Sequence, residues 1–152
     1  NGQAITHWLL RLEAIIAHLA PEFRSKVATN LQLPDDSIKR LSHFSKAMDN
    51  IAGLTECTLK SQVVALLKKY DLETLILAAS QSQRSIRRSI WQYISVWRFV
   101  QAPLNGNDLQ KLGYKPGRAF KEMLDDLLAA TLDGVVNDKV SAEAFLSQKY
   151  PT

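Results

Sequence analysis

The sequence predicts an all-α protein, a compact array of about eight or nine short helices. Three observations carry that reading. Apolar residues recur at three- and four-residue spacing along nearly the whole chain, the period of a helix with one buried face. No segment alternates β-branched and polar residues at period two, so no strand is expected. Proline, glycine and aspartate interrupt the pattern at short intervals, which leaves short connections, with no flexible linker, low-complexity tract or internal repeat.

Taken in order, Ile5, Trp8, Leu9, Leu12, Ile15, Ile16 and Leu19 form a first amphipathic stripe. Pro21 sits at a first-turn position and opens a helix through Phe23, Val27 and Leu31, where its missing N–H costs nothing. Pro34 and Asp35 start a third helix, with Ile38, Leu41, Met48 and Ile51 on one side. The stretch from Ala52 to Glu56, with Gly53 in it, reads as a loop. A fourth helix follows over Leu59–Tyr70, and Asp71 caps a fifth that runs to about Ser80.

The spacing then predicts one long helix over 83–101. A wheel at about 100° per residue gathers Ile86, Ile90, Tyr93, Ile94, Trp97 and Val100 on one side. Arg84, Arg87, Arg88, Ser95 and Arg98 fall opposite, and Trp91 lies among them. Arginine beside an aromatic ring suits RNA, because guanidinium pairs with phosphate while the ring stacks on an unpaired base. The other fate for Trp91 is packing against a neighbouring helix. That fate is the commoner one for tryptophan and is the one expected here.

From Pro103 to Gly134 the chain reads PLNGNDLQKLGYKPGRAFKEMLDDLLAATLDG. Asn105–Asn107 is a capping turn for a short helix through Leu109 and Leu112, and Gly113 is placed to end it in the left-handed conformation. Residues 114–117 make a tight connection. Pro116 then starts a longer helix, with Phe120, Met123, Leu124, Leu127 and Leu128 inward and Gly134 past its end. Two helices joined by such a hairpin leave free N–H groups at the second helix start, and with the helix dipole these form an anion site. Lys111, Lys115, Gly117, Arg118 and Lys121 cluster there. An ordinary helical corner with solvated lysines would read the same way.

Charge concentrates in this half. Arg84 to Lys121 holds eight basic residues and one acid, Asp108, a local +7 within a chain whose net charge is +4. Such asymmetry points to a surface that faces a polyanion. The 152 residues are enough to bury about 68–70% of the unfolded surface without a staple. Cys57 has no partner for an internal disulfide, so a reducing, cytoplasmic setting is expected. No apolar run approaches membrane-spanning length, and no signal peptide opens the chain. The first residue is Asn1, which fits a piece of something longer.

Catalytic arrangements are sparse. His7, His18 and His43 are scattered, Cys57 has no histidine in a supporting motif, and there is no phosphate-binding Walker loop. Asp35–Asp36 and Asp125–Asp126 are adjacent on helices, where neighbouring side chains diverge, and read as a cap and a solvated face.

The run GNDLQKLGYKPGRAFKEML, Gly106 to Leu124, resembles a motif of the C-terminal region of bacterial-type (class II) tRNA nucleotidyltransferases and poly(A) polymerases. That motif is G-x-D-L-x-x-L-G-x-x-P-G. The following LDGVV and VSAEAFL segments resemble that region's next element, and YISVWRFVQAPLNGNDL resembles the helix leading into the motif. The motif-bearing part covers about a third of the chain. Arg118 stands where the family commonly has a second proline.

The resemblance implies an all-helical body over 1–102 and a tail over 103–152 that position the RNA 3′ end, tRNA or other RNA. A separate catalytic head in the same parent chain would carry out the addition. That head would use magnesium and a nucleoside triphosphate through a Gly-Ser turn and an Asp-x-Asp pair. This chain has no Asp-x-Asp. It is therefore expected to need no cofactor of its own and to be inactive alone. The candidate RNA contacts, from the helical wheel and the charge pattern together with the motif, are Arg84, Arg87, Arg88, Trp91, Arg98, Lys111, Lys115, Gly117, Arg118 and Lys121. Two other readings use the same residues: a DNA-binding helix-hairpin-helix module, and a helical protein-interaction domain.

Overall fold

A computed structural model describes residues 7–151. Among them are nine α-helices and no strand: α1 His7–Ala17, α2 Pro21–Asn30, α3 Asp35–Ala52, α4 Lys60–Leu67, α5 Leu72–Gln81, α6 Arg84–Ser95, α7 Gly106–Lys111, α8 Arg118–Leu132 and α9 Lys139–Lys149. Two 3₁₀ turns, Gly53–Glu56 and Trp97–Phe99, follow α3 and α6. The all-α expectation holds. Ile5 of the first stripe lies outside the described residues.

The apolar side chains form two clusters. The first is built by α1 to α6 around Phe44, Leu41, Ile51, Leu67, Leu75, Leu77 and Ile90. The second is built by Leu104, α7, α8 and α9 around Leu109, Leu127, Val136 and Leu146. Helix α4 packs on both α6 and α8 and so lies at the seam. There the Ser61 backbone N–H and Oγ both donate to the Asp133 carboxylate, at 2.9 and 2.6 Å. The residue that ends α8 thus caps the start of α4, supplying an acceptor to an amide the helix itself cannot satisfy.

One polar network runs through the first cluster. Glu13 lies on α1 and is only 1% exposed. Arg40 of α3 donates from one guanidinium nitrogen to both Glu13 oxygens at 2.8 Å. Its Nε and other terminal nitrogen reach one oxygen of Asp71, at 3.3 and 3.2 Å. The second Asp71 oxygen accepts from the Thr74 N–H at 2.9 Å, which caps α5 as the sequence predicts. Arg24 makes a smaller bridge from α2 to the Leu19 carbonyl and Ser45 Oγ, with its guanidinium over the Phe44 ring.

The structure departs from the sequence reading in four places. The helix expected over 83–101 ends at Ser95, because Val96 leaves helical geometry (φ −130°, ψ −62°). Ser95 Oγ bonds back to the Trp91 carbonyl at 2.6 Å, the local competition that bends or ends helices, and the 3₁₀ turn directs Trp97 onto the first cluster. The segment after α3 is a 3₁₀ turn and not an open loop, because Leu54 is buried within it. Helix α8 begins at Arg118, with Pro116 and Gly117 ahead of it. Finally, the first stripe is split: Leu9, Leu12 and Ile16 face the core, whereas Trp8 and Ile15 are 63% and 67% exposed.

The C-terminal turn is fastened by its own cluster. Tyr150 hydroxyl and Lys149 Nζ both reach one oxygen of Asp126, the latter at 2.7 Å. The Tyr114 hydroxyl donates to the Tyr150 carbonyl at 3.0 Å. Burial disfavours the Asp126 charge, but these bonds outweigh it and hold the carboxyl below its ordinary range. The same carboxylate pushes the Tyr150 phenol up to about 12.

Two predictions follow from these networks. Arg40→Met leaves Glu13 buried without a partner and should cost about 3–5 kcal/mol in urea denaturation, most of it recovered in Glu13→Leu/Arg40→Met. Equal loss in the single and double variants would show that the pair is not what matters. For Tyr150 the folded value exceeds the unfolded one, so its contribution is complete below about pH 10 and disappears as pH rises towards 12. A spectrophotometric tyrosine titration should show a late phenol that is missing in Tyr150→Phe.

Candidate nucleic-acid interface

Helix α6 carries the arginine-rich face. Counted from Arg84, Arg88 lies at i+4, Trp91 at i+7 and Ser95 at i+11, which places all four within one narrow stripe. All four are exposed. Ile86 and Ile90 point the other way and are 8% and 0% exposed, which orients the helix unambiguously. Among the described residues neither Arg84 nor Arg88 makes a hydrogen bond or ion pair with a side chain or carbonyl.

Trp91 is 47% exposed and lies outside both apolar clusters. The expectation that it packs as core is therefore corrected: the buried face of α6 is the one that carries Ile86 and Ile90. Trp97, by contrast, packs on the first cluster as expected.

Arg87 separates from its neighbours. Its Nε donates to the Ala79 carbonyl at 3.1 Å and a terminal nitrogen to the Ser82 carbonyl at 3.0 Å. These carbonyls end α5 and have no helical partner, so Arg87 satisfies acceptors that would otherwise be left over. Arg98 leaves the stripe with the helix break, and its guanidinium stacks 4.5 Å above the Phe99 ring, on a surface where Phe99 is 62% exposed.

The second basic group surrounds the α7–α8 connection. Asn105 Oδ1 accepts from Asn107 and Asp108 N–H, and the Asp108 carboxylate accepts in return from the Asn105 N–H at 3.1 Å. This reciprocal cap fixes the α7 start. Gly113 has φ +92°, the left-handed value that ends α7 as predicted. Gly106 lies against Phe120, and a Cβ there would meet the ring at 3.3 Å. Gly117 precedes α8 with no side-chain cap and no acid in the first turn. Lys111, Lys115, Arg118 and Lys121 are all exposed, and Arg118 makes an open i,i+4 pair with Glu122 at 3.6 Å.

A third polar strip escaped the sequence reading. Along α3, Lys39, His43, Lys46 and Asn50 follow at i, i+4, i+7 and i+11, all exposed. They border a groove closed by Tyr70, Asp71 and Thr74. The spacing was available, but Asp35, Asp36 and Asp49 nearly cancel the charge along the sequence. The proximity of Tyr70 comes only from the packing of α3 on α5.

Among known proteins, the chain is similar to an A-adding tRNA nucleotidyltransferase of Geobacter sulfurreducens, 23% identical over 141 residues. The comparison supports a relationship to tRNA nucleotidyltransferases. The match covers 88% of this chain but 16% of that protein, so the chain spans about a sixth of the relative's length. No protein-family profile matches the chain, and no solved structure matches it.

Among the described residues no three His, Cys, Asp or Glu side chains converge on a point, and Asp126 is already engaged by Lys149 and Tyr150. No described helix is long and apolar enough to cross a membrane.

The exposure difference between the two tryptophans gives a direct test. Trp91→Ala should lower unfolding stability by less than about 1 kcal/mol, because an exposed ring leaves no cavity, whereas Trp97→Ala should cost about 3 kcal/mol. Paired denaturant melts decide it, and equal losses would return Trp91 to the core.

Proposed function

We infer that this chain is an RNA-holding region of a tRNA nucleotidyltransferase or poly(A) polymerase relative, the part that positions the RNA 3′ end. The single observation that carries this reading is the outward stripe Arg84, Arg88 and Trp91 on α6. Two cations without internal partners flank a ring without a core. Guanidinium groups bind phosphate as a planar fork, and an exposed indole offers a stacking face for an unpaired base. The uncapped, acid-free start of α8, with Lys111, Lys115, Arg118 and Lys121 around it, adds a second point that favours an anion. The similarity to the A-adding tRNA nucleotidyltransferase supports RNA as the class of ligand.

On this reading the roles within the basic face differ. Arg84, Arg88 and Trp91 touch RNA, whereas Arg87 holds the α5–α6 corner and acts on binding only through the fold. Nucleotide addition belongs to a separate head in the parent protein, which would hold the magnesium and the nucleoside triphosphate. The body and tail then present the 3′ end to it.

The experiment is a salt titration of tRNA affinity. If about five phosphates are neutralised, log affinity should fall with log salt at a slope of roughly −3.5 to −4.5. Arg84→Ala/Arg88→Ala should flatten that slope by about 1.5–2 without lowering the melting temperature. Arg87→Ala should lower the melting temperature and leave the slope nearly unchanged. Duplex DNA of equal phosphate count should bind more weakly than tRNA. Equal affinity for the two would favour a duplex-binding module, and an unchanged slope in the double variant would remove α6 from the interface.

A further inference from the structure

We propose that the groove between α3 and the α4–α5 corner holds one unpaired nucleotide, its base against Tyr70 and Asn50 and its phosphate at Lys46. The ligand class rests on the RNA reading above, but every residue involved lies outside the strongly basic segment 84–121.

The narrow part of the groove encloses about 200 Å³ and is lined by Arg40, His43, Lys46, Ala47, Asn50, Tyr70 and Thr74. That is below the roughly 300–1,000 Å³ of pockets for drug-sized molecules, and it suits a single ring system better than a whole cofactor or a helix. Asn50 Nδ2 donates to the Tyr70 hydroxyl at 3.0 Å, which fixes the amide beside the phenol ring. One amide hydrogen and the Oδ1 acceptor remain, the donor–acceptor pair with which asparagine reads a base edge. His43 Nδ1 is engaged by the Lys39 carbonyl at 2.8 Å, so Nε2 stays available. An aromatic ring, a side-chain amide and a lysine are the groups that together recognise an unstacked base and its phosphate.

The charges give the ligand a direction. Arg40 forms the floor, but its guanidinium is neutralised by Glu13 and Asp71. Lys46 makes no ion pair among the described residues and is the cation left for phosphate. The wider end, which shares Arg40, His43 and Thr74, is lined by Asp36, Asp71 and Glu73, with Lys39 beside them. Those carboxylates repel phosphate and leave the Lys46 end as its place.

The test uses the isotope-labelled 152-residue chain with two probes, AMP and a single-stranded tetra-adenylate RNA, and with adenosine and tRNA as controls, followed by amide NMR shifts. AMP should perturb the amides of Lys39–Asn50 and Tyr70, and Lys46→Ala or Asn50→Ala should weaken it by about 5-fold or more, on the scale of a stacking or charge-assisted contact. Both side chains are exposed, so circular dichroism should show both variants folded. Adenosine without the phosphate should bind more weakly and be indifferent to Lys46→Ala. Shifts from the tetranucleotide confined to α6, with none at α3 from either probe, would overturn the groove and leave the RNA reading standing. AMP shifts at α3 with no tetranucleotide or tRNA binding would support the groove for free nucleotides and remove the RNA reading. Silence from every probe would overturn both.

Discussion

A buried carboxylate organises the first half of the molecule. Glu13 sits among the apolar side chains of α1 with no access to water, a position that a charge tolerates only if its bonds are supplied internally. Arg40 supplies them, and in doing so determines where α3 runs relative to α1. The remaining side of the guanidinium reaches Asp71, whose other oxygen caps α5. Three helices are thus positioned by one planar cation, whose fork geometry allows little slack. The ion pair and its hydrogen bonds tie α1, α3 and the start of α5 together in addition to their apolar packing. The groove beside Tyr70 exists because that arrangement holds α5 against α3.

The motif positions Gly106, Asp108, Leu109 and Gly113 have structural roles in this protein. Asp108 closes a reciprocal cap, Leu109 is fully buried, Gly113 takes a left-handed turn, and Gly106 makes room for Phe120. A motif of this kind identifies an architecture, and the cations around it carry whatever binding it does. The second cluster is then joined to the first by Asp133 on Ser61 and tied at its end by Asp126, Lys149 and Tyr150. The Tyr114 hydroxyl links that tie to the α7–α8 connection itself. The geometry of Lys115, Gly117 and Arg118 therefore depends on contacts made far away in sequence.

The two polar stripes, on α6 and on α3, share a design. Each repeats at i, i+4, i+7 and i+11 on an amphipathic helix whose opposite face is core. They differ in depth. The α6 stripe lies open, which suits a backbone and a stacked base, whereas the α3 stripe borders a groove. Helix α4 packs against both α6 and α8 and so relates the arginine face to the second cluster.

The sequence alone determined the fold class, most helix positions, the caps at Asp71 and Asn105, the left-handed Gly113 and the place of Gly134 past the end of α8. These are local properties: periodicity, capping hydrogen bonds and backbone freedom act within a few residues. It also isolated the arginine face, because charge and period coincide on one helix. Tertiary structure decided what depends on partners distant in the chain. The wheel put Arg87 with Arg84 and Arg88, yet the carbonyls at the end of α5 claim it. Trp91 and Trp97 looked like opposite sides of one helix, but the break at Val96 turns Trp97 onto the first cluster while Trp91 stays 47% exposed. The pairing of Glu13 with Arg40 spans 27 residues, and nothing in either local sequence could announce it. Which cation is free and which is already used is a question of packing, and only the folded chain answers it.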